Sequence, residues 1–264
     1  MVSEIMENKK QVPSADDLYF GMQAEMGLTK HVGGKRATNE LIKLCEITKG
    51  SYVLDIGCGV GKTACYLAEK IGCRVVGIDL RKGMIRNSRE RAKRKTISDK
   101  VEFEVADGMN MSFNDNTFDA VICESVTAFF DDKQKGLNEY TRVVKKGGYV
   151  GINEVTWTGI PPEKIVDYVE RVMGAGFLNE DGWRKLLENA GLKGISVKAY
   201  KPNALQQFMD ELSWMELRDF FGPWHKVIML FVKSREYRNY LKRIGIPPLA
   251  IAKYMGNGIY IGKK

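Results

Sequence analysis

The chain has 264 residues, 44% of them hydrophobic, and a formal net charge of +8. That length can bury a full core as one domain with room for an insertion, and no run of 18 apolar residues is present to span a bilayer. Five cysteines without regular spacing argue against a disulfide frame and for a reducing, cytoplasmic setting, and two histidines with no Cys-x-x-Cys pair offer no metal site.

Residues 1–14 read as a frayed leader, polar and charged, with no signal-peptide apolar region. Residues 15–36 mix apolar, aromatic and glycine residues without a clean period. A helix is expected from near Thr38, with Leu41, Leu44, Cys45 and Ile47 inward. Val53–Ile56 is a short apolar strand, and Asp55-Ile56-Gly57-Cys58-Gly59-Val60-Gly61 turns it into a helix over Lys62–Lys70. The three glycines at alternate positions let a ligand touch bare backbone. A second strand then ends in another acid, Asp79, which is how a nucleoside is held.

Three ligands compete for such a turn. A dinucleotide fingerprint needs G-x-G-x-x-G, but its third glycine would fall on Lys62. A P-loop matches Gly61-Lys62-Thr63, but its first glycine would fall on Ile56, whose branched side chain closes the anion nest. The acid-x-G-x-G-x-G turn of class I S-adenosylmethionine (SAM) methyltransferases fits Asp55–Gly61 at every position. An acid there favours a cationic sulfonium and ammonium and would repel a pyrophosphate.

The helix after Asp79 carries a dense basic run, Arg81, Lys82, Arg86, Arg89, Arg91, Lys93, Arg94 and Lys95. It reads as a solvated face, with an anionic membrane surface left open. No aromatic residues interleave with it, which argues against nucleic acid. Val101–Gly108 reads as a third strand and its acid, Phe118–Ser125 as a fourth, and Leu137–Val144 followed by Lys146–Ile152 as a helix, a tight turn and a fifth strand. Pro161-Pro162 ends that strand region and starts a new helix. Asp181–Ala190 is a helix closed by Gly191, and Ile195–Tyr200 a sixth strand. The seventh is expected far downstream, at Gly258–Gly262, so residues between about 202 and 254 form an insertion. Ten of the 26 aromatics fall in residues 200–254, and Leu205, Phe208, Met209 and Leu212 follow a helical period. The insertion reads as a helical pair packed on its own sheet, a cap over an apolar pocket, a dimer contact or a membrane-facing patch.

From about residue 35 to 155 the chain resembles the class I methyltransferase superfamily, motif by motif. The resemblance implies an α/β fold, a doubly wound, mostly parallel, seven-stranded Rossmann-like sheet with an N-terminal lid and a helical insertion before the last strand. It divides the chain into a leader and lid (1–36), a SAM-binding core (37–200 plus 256–264) and a cap (201–255). It implies SAM as cofactor, leaving as S-adenosylhomocysteine. Asp79, followed by Leu80, would take the ribose hydroxyls, Met84 would pack on adenine, and Asp107, with Gly108 and Met109, would meet the adenine amine. Asp55, Gly57, Cys58, Gly59, Gly61, Glu124, Ser125 and Tyr19 complete the cofactor set, and Tyr19, Phe20, His31, Gly33 and Gly34 are lid candidates. The N-terminal stretch reads equally as a helix pair that plugs the sheet end.

Methyl transfer needs an aligned nucleophile and, for an oxygen or a protonated amine, a base. Glu124, His31 and Glu154 are the candidates. Glu124 reads equally as a carboxylate bonded to a loop amide, His31 as a packed histidine, and Glu154, placed after the fifth strand, as a substrate-orienting group or a cap of the following helix. Cys58 and Cys123 raise arsenic or thiol chemistry, but Cys58 fills a slot that only needs to be small. Within the superfamily the chain looks most like the branch that methylates small molecules, the quinone-biosynthesis and sterol- or phosphoethanolamine-type enzymes. A small, partly apolar acceptor follows, acted on by a monomer or homodimer. A nicotinamide oxidoreductase, or methyl transfer to RNA or protein, is the alternative.

Overall fold

The computed structural model describes residues 31–201 and 249–264 throughout, with isolated positions at 20, 21, 23, 229, 232, 234, 235, 238, 239 and 242. Tyr19 and most of the expected cap lie outside the described residues.

One sheet carries the molecule. Its strands are β1 (Tyr52–Ile56), β2 (Arg74–Asp79), β3 (Val101–Val105), β4 (Phe118–Glu124), β5 (Val144–Trp157), β6 (Leu178–Asn179), β7 (Lys193–Tyr200) and β8 (Met255–Lys263). They lie in the order β3-β2-β1-β4-β5-β8-β7, with two-residue β6 beside β5. β1 to β5 are parallel, and β8 runs antiparallel between β5 and β7. This is the expected mostly parallel Rossmann-like sheet with the distant strand inserted near its edge. The strand order reverses between β1 and β4, so a crevice opens there, outside their carboxyl ends.

Successive side chains point to opposite faces of a strand, and both faces of the central strands β1 and β4 are buried. Leu54, Ile56, Val121 and Ile152 join one core, closed by α4 (Lys133–Val143), α5 (Glu163–Met173) and α6 (Glu180–Asn189). Val53, Val75, Ala120 and Ile122 join the other, closed by α1 (Gly34–Leu44), α2 (Lys62–Tyr66) and α3 (Lys82–Arg94). The basic run sits on α3, which buries Met84, Ile85, Ser88, Arg91 and Ala92. Arg91 is no surface charge, since its Nε donates to the Val60 carbonyl at 3.0 Å.

Four local expectations change. α1 begins at Gly34 rather than near Thr38, because Ala37 and Thr38 are already buried. The helix after the glycine turn is α only to Tyr66 and continues as a π turn, Leu67–Ile71, ended by Gly72 at φ 84°. β5 is 14 residues long, running from Val144 through Trp157. Residues 153–157 therefore continue the strand instead of leaving it, because β8 pairs with β5 from Tyr149 to Trp157. Glu154 is thus a buried mid-strand residue, not the cap of a following helix.

Candidate active site

The carboxyl ends of β1, β2 and β4 open into a cavity of about 440 Å³. The turn after β1 forms its floor. Gly57, at φ +67°, can bear no Cβ, which would collide with the Val126 side chain. Asp79 fastens the same turn from β2. Its Oδ2 accepts from the Gly59 amide at 3.1 Å and its Oδ1 from the Arg81 amide at 2.9 Å. Each carboxylate oxygen keeps a second lone pair for a hydroxyl. Burial raises the Asp79 pKa, against the pull of the two amides and of Arg81. Met84 and Asp107 reach the cavity from α3 and from the loop after β3, and the Asp107 Oδ1 accepts from the Met109 amide at 2.8 Å.

Asp55 decides what the cavity is built for. It is 2% exposed, lines the cavity, and its Oδ2 has no hydrogen-bond partner. Burial holds its pKa well above the ordinary carboxylate range, and the neighbouring Glu124 and Asp79 push it further. A buried carboxylate that has a backbone hydrogen bond from Ala64 but one unpartnered oxygen, beside two other carboxylates, suits a cation. SAM would supply one through its ammonium and sulfonium, with Asp55 facing the charge, Asp79 the ribose and Met84 the base. A diphosphate would find three carboxylates in its place.

A family profile described as a methyltransferase domain matches residues 54–152. The phosphoethanolamine N-methyltransferase of Triticum aestivum is 31% identical over 185 residues, covering 70% of this chain. The chain belongs to the class I SAM-dependent methyltransferases. It spans only 36% of that wheat relative. Among solved structures, the cyclase SpnF superposes with a TM-score of 0.74 at 17% identity, over 96% of this chain and 97% of that one. The Haemonchus contortus phosphoethanolamine N-methyltransferase 2, in complex with SAM, gives 0.71 at 20% identity, over 95% and 57%. At these identities the two structures speak for the fold alone. SAM is the cofactor of the family, and neither the nicotinamide alternative nor methyl transfer to RNA or protein finds support.

Across the cavity from Asp79 and Met84 lies the end of β4. Glu124 ends that strand and is 8% exposed. Its Oε1 accepts from the Thr63 hydroxyl at 2.9 Å, and Thr38 donates to the same carboxylate at 3.0–3.1 Å. His31 Nε2 lies 3.3 Å from Glu124 Oε2. Ser125, in the left-handed region at φ 58°, turns the chain out of β4, and its Oγ accepts from the Val32 amide at 3.1 Å. Phe20 lies against Phe129 at 4.7 Å and beneath the Arg81 guanidinium, also 4.7 Å away, so it touches both rims of the crevice.

Most expected residues line this cavity: Asp55, Gly57, Cys58, Gly59, Asp79, Leu80, Met84, Asp107, Gly108, Met109, Glu124, Ser125, and His31 with Phe20. Gly61 does not. A Cβ there would sit 2.8 Å from the Ser88 Cβ and 3.0 Å from the Phe103 ring, so its smallness serves the packing of α2 on α3 and β3. Glu154 does not either. Its Oε1 accepts from the amides of Val126, at 3.1 Å, and Thr127, at 2.7 Å, so it holds the loop behind the wall. Burial pushes it up to about 7, against the amide bonds, and its Oε2 has no partner. Cys58 and Cys123 are both buried, with pKa values raised by burial, so neither is an available thiolate. Thr38, Thr63 and Asn153 are absent from the sequence expectation. A hydroxyl 86 residues from its carboxylate leaves no spacing signal. Among the described residues no group of three or more metal-ligating side chains gathers, and no helix is long and apolar enough to cross a membrane.

Proposed function

We infer that the chain transfers the methyl group of SAM to a small, partly apolar acceptor. The observation that carries this is the buried Asp55 carboxylate, its Oδ2 unpartnered, beside Asp79 and a bare-backbone turn. Val126, Phe129 and Phe130 supply an apolar wall opposite, which supports the partly apolar character of the acceptor. A cavity of about 440 Å³ is near the low end for one drug-sized ligand. Cofactor and acceptor together need either a small acceptor or a displaced N-terminal segment. Phe20 across both rims supports a lid role for that segment.

Residues 201–255 act as the substrate cap in this reading. Tyr200 pairs with Asn257 and Met255 with Trp157, so the insertion leaves and rejoins at the carboxyl edge of β5, the edge where the site opens. The exposed residues of α3 remain a solvated face, and the protein works in the cytoplasm as a monomer or homodimer. Calorimetry with SAM and S-adenosylhomocysteine tests the cofactor assignment: micromolar binding is expected, and NADH binding in its place would overturn it. Deleting 205–245 should abolish turnover while cofactor binding persists; full activity would remove the cap.

A further inference from the structure

We propose that Asp55 and Glu124 make the crevice charge-selective, so that it holds SAM in preference to S-adenosylhomocysteine and releases the spent cofactor because a positive charge has gone. The proposal rests on the methyl-transfer reading above. Methyl transfer joins the methyl carbon to an electron pair of the acceptor and leaves the carbon–sulfur pair on sulfur. The sulfonium becomes a neutral thioether. The two forms of the cofactor therefore differ by one positive charge and one methyl group.

The two acids flank the point where the strand order reverses. Asp55 is the last residue but one of β1, and Glu124 ends β4. Both line the cavity, at 2% and 8% exposure. Water screens them poorly there, so a charge brought beside them is felt more strongly than at a surface.

Their surroundings differ from those of Asp79. Arg81 lies beside Asp79 and, with two amides, works against the rise in its pKa. At Asp55, burial, Glu124 and Asp79 all raise the pKa, against one amide, that of Ala64. The nearby Cys58 thiol is buried with its pKa raised, so it stays neutral. Glu124 is held by the hydroxyls of Thr38 at 3.0 Å and Thr63 at 2.9 Å, which orient a carboxylate without neutralising it. His31 Nε2, 3.3 Å from Glu124 Oε2, and Lys62, at the start of α2, also line the cavity. Neither bonds to Asp55 Oδ2, which has no hydrogen-bond partner. Two like charges in such a place repel. A sulfonium relieves that repulsion and a thioether does not. A pocket that selected by shape alone would hold the two ligands nearly alike, since one methyl group separates their outlines.

Calorimetry on the full chain, with SAM and S-adenosylhomocysteine titrated separately, reads the selectivity without any acceptor. SAM is expected to bind about tenfold more tightly. Asp55→Asn and Glu124→Gln should each lower that ratio by about threefold or more, with SAM losing affinity and S-adenosylhomocysteine little changed. In the unaltered chain between pH 6 and 8, two buffers of different ionisation enthalpy should show more proton release with SAM, because the sulfonium adds to the pull on the Asp55 proton. A methyl contact would leave the two releases equal, so this comparison carries the test should neither variant fold. Equal or tighter binding of S-adenosylhomocysteine, a ratio unmoved in the folded variants, or equal proton release overturns the proposal. A chain that binds neither ligand defeats the cofactor reading instead.

Discussion

The two banks of the crevice are built differently. On the cofactor bank, β1, β2 and β3 each deliver an acid at or just past a strand end, and backbone amides a few residues away fasten two of them: Gly59 and Arg81 on Asp79, Met109 on Asp107. On the acceptor bank, side chains drawn from distant parts of the chain hold one another: His31 and Thr38 on Glu124 of β4, Ser125 and Asn153 on Val32. The first bank is rigid by local chemistry. The second is tied to the N-terminal segment through His31, Val32 and Thr38.

The largest break expected is in the floor shared by both banks. Gly57→Val should cost at least about 3 kcal/mol of stability, because it adds a strained positive φ to a collision with Val126. Thermal denaturation with and without S-adenosylhomocysteine would read this, and an unshifted melting point would show that the loop after β4 yields. The next effect belongs to the acceptor bank's support. Glu154 goes from an ordinary 4.5 to about 7 in the folded chain. Between those values the folded state holds the proton and the unfolded state does not, so stability falls as pH rises, by about 3 kcal/mol in all. Glu154→Gln should flatten that part of the pH–stability profile, and an identical slope in the variant would assign the titration elsewhere.

On the cofactor bank, Asp79→Ala is expected to weaken SAM by about 1.5–3 kcal/mol, the range for a lost charge-assisted hydrogen bond. Calorimetry showing equal affinity would take Asp79 out of the ribose site. The same instrument can follow Asp55. A cation favours its ionised form, so SAM should release a fraction of a proton on binding and bind more weakly as pH falls, which two buffers of different ionisation enthalpy would detect. The smallest effect is at the lid. Phe20→Ala removes one edge-to-face pair and one cation contact, worth about 0.5–1.5 kcal/mol. It should appear as faster cofactor release in stopped flow, with little change on the floor of the site.

The same contrast governs what could be read from the sequence. Asp55, the glycine turn, Asp79 and Asp107 are legible because each lies at or just past a strand end that hydrophobic patterning marks, and the turn needs glycine for steric reasons visible in one line of text. The distant last strand was legible too, since Gly258–Gly262 lies within β8. Gly61 shows an ambiguity, since a glycine forced by packing and a glycine forced by a ligand look alike in a string. Glu154 misled because Asn153–Trp157 looks like a strand exit until β8 is known to pair there. Thr38, Thr63 and Asn153 left no trace, since their partners are set by tertiary packing across 86, 61 and 121 residues.

The placement of β8 has a bearing on biogenesis. β5 ends at Trp157, and the strand that covers its hydrogen-bonding edge begins 98 residues later, at Met255. While the ribosome makes the intervening chain, the nine mostly buried residues Tyr149–Trp157 of β5 stand as a naked border. Such a border recruits foreign strands as readily as the right one. Nascent chains of this protein should therefore lean on chaperones until translation has passed Lys263, and fusions or truncations that delay β8 should tend to precipitate rather than merely lose activity.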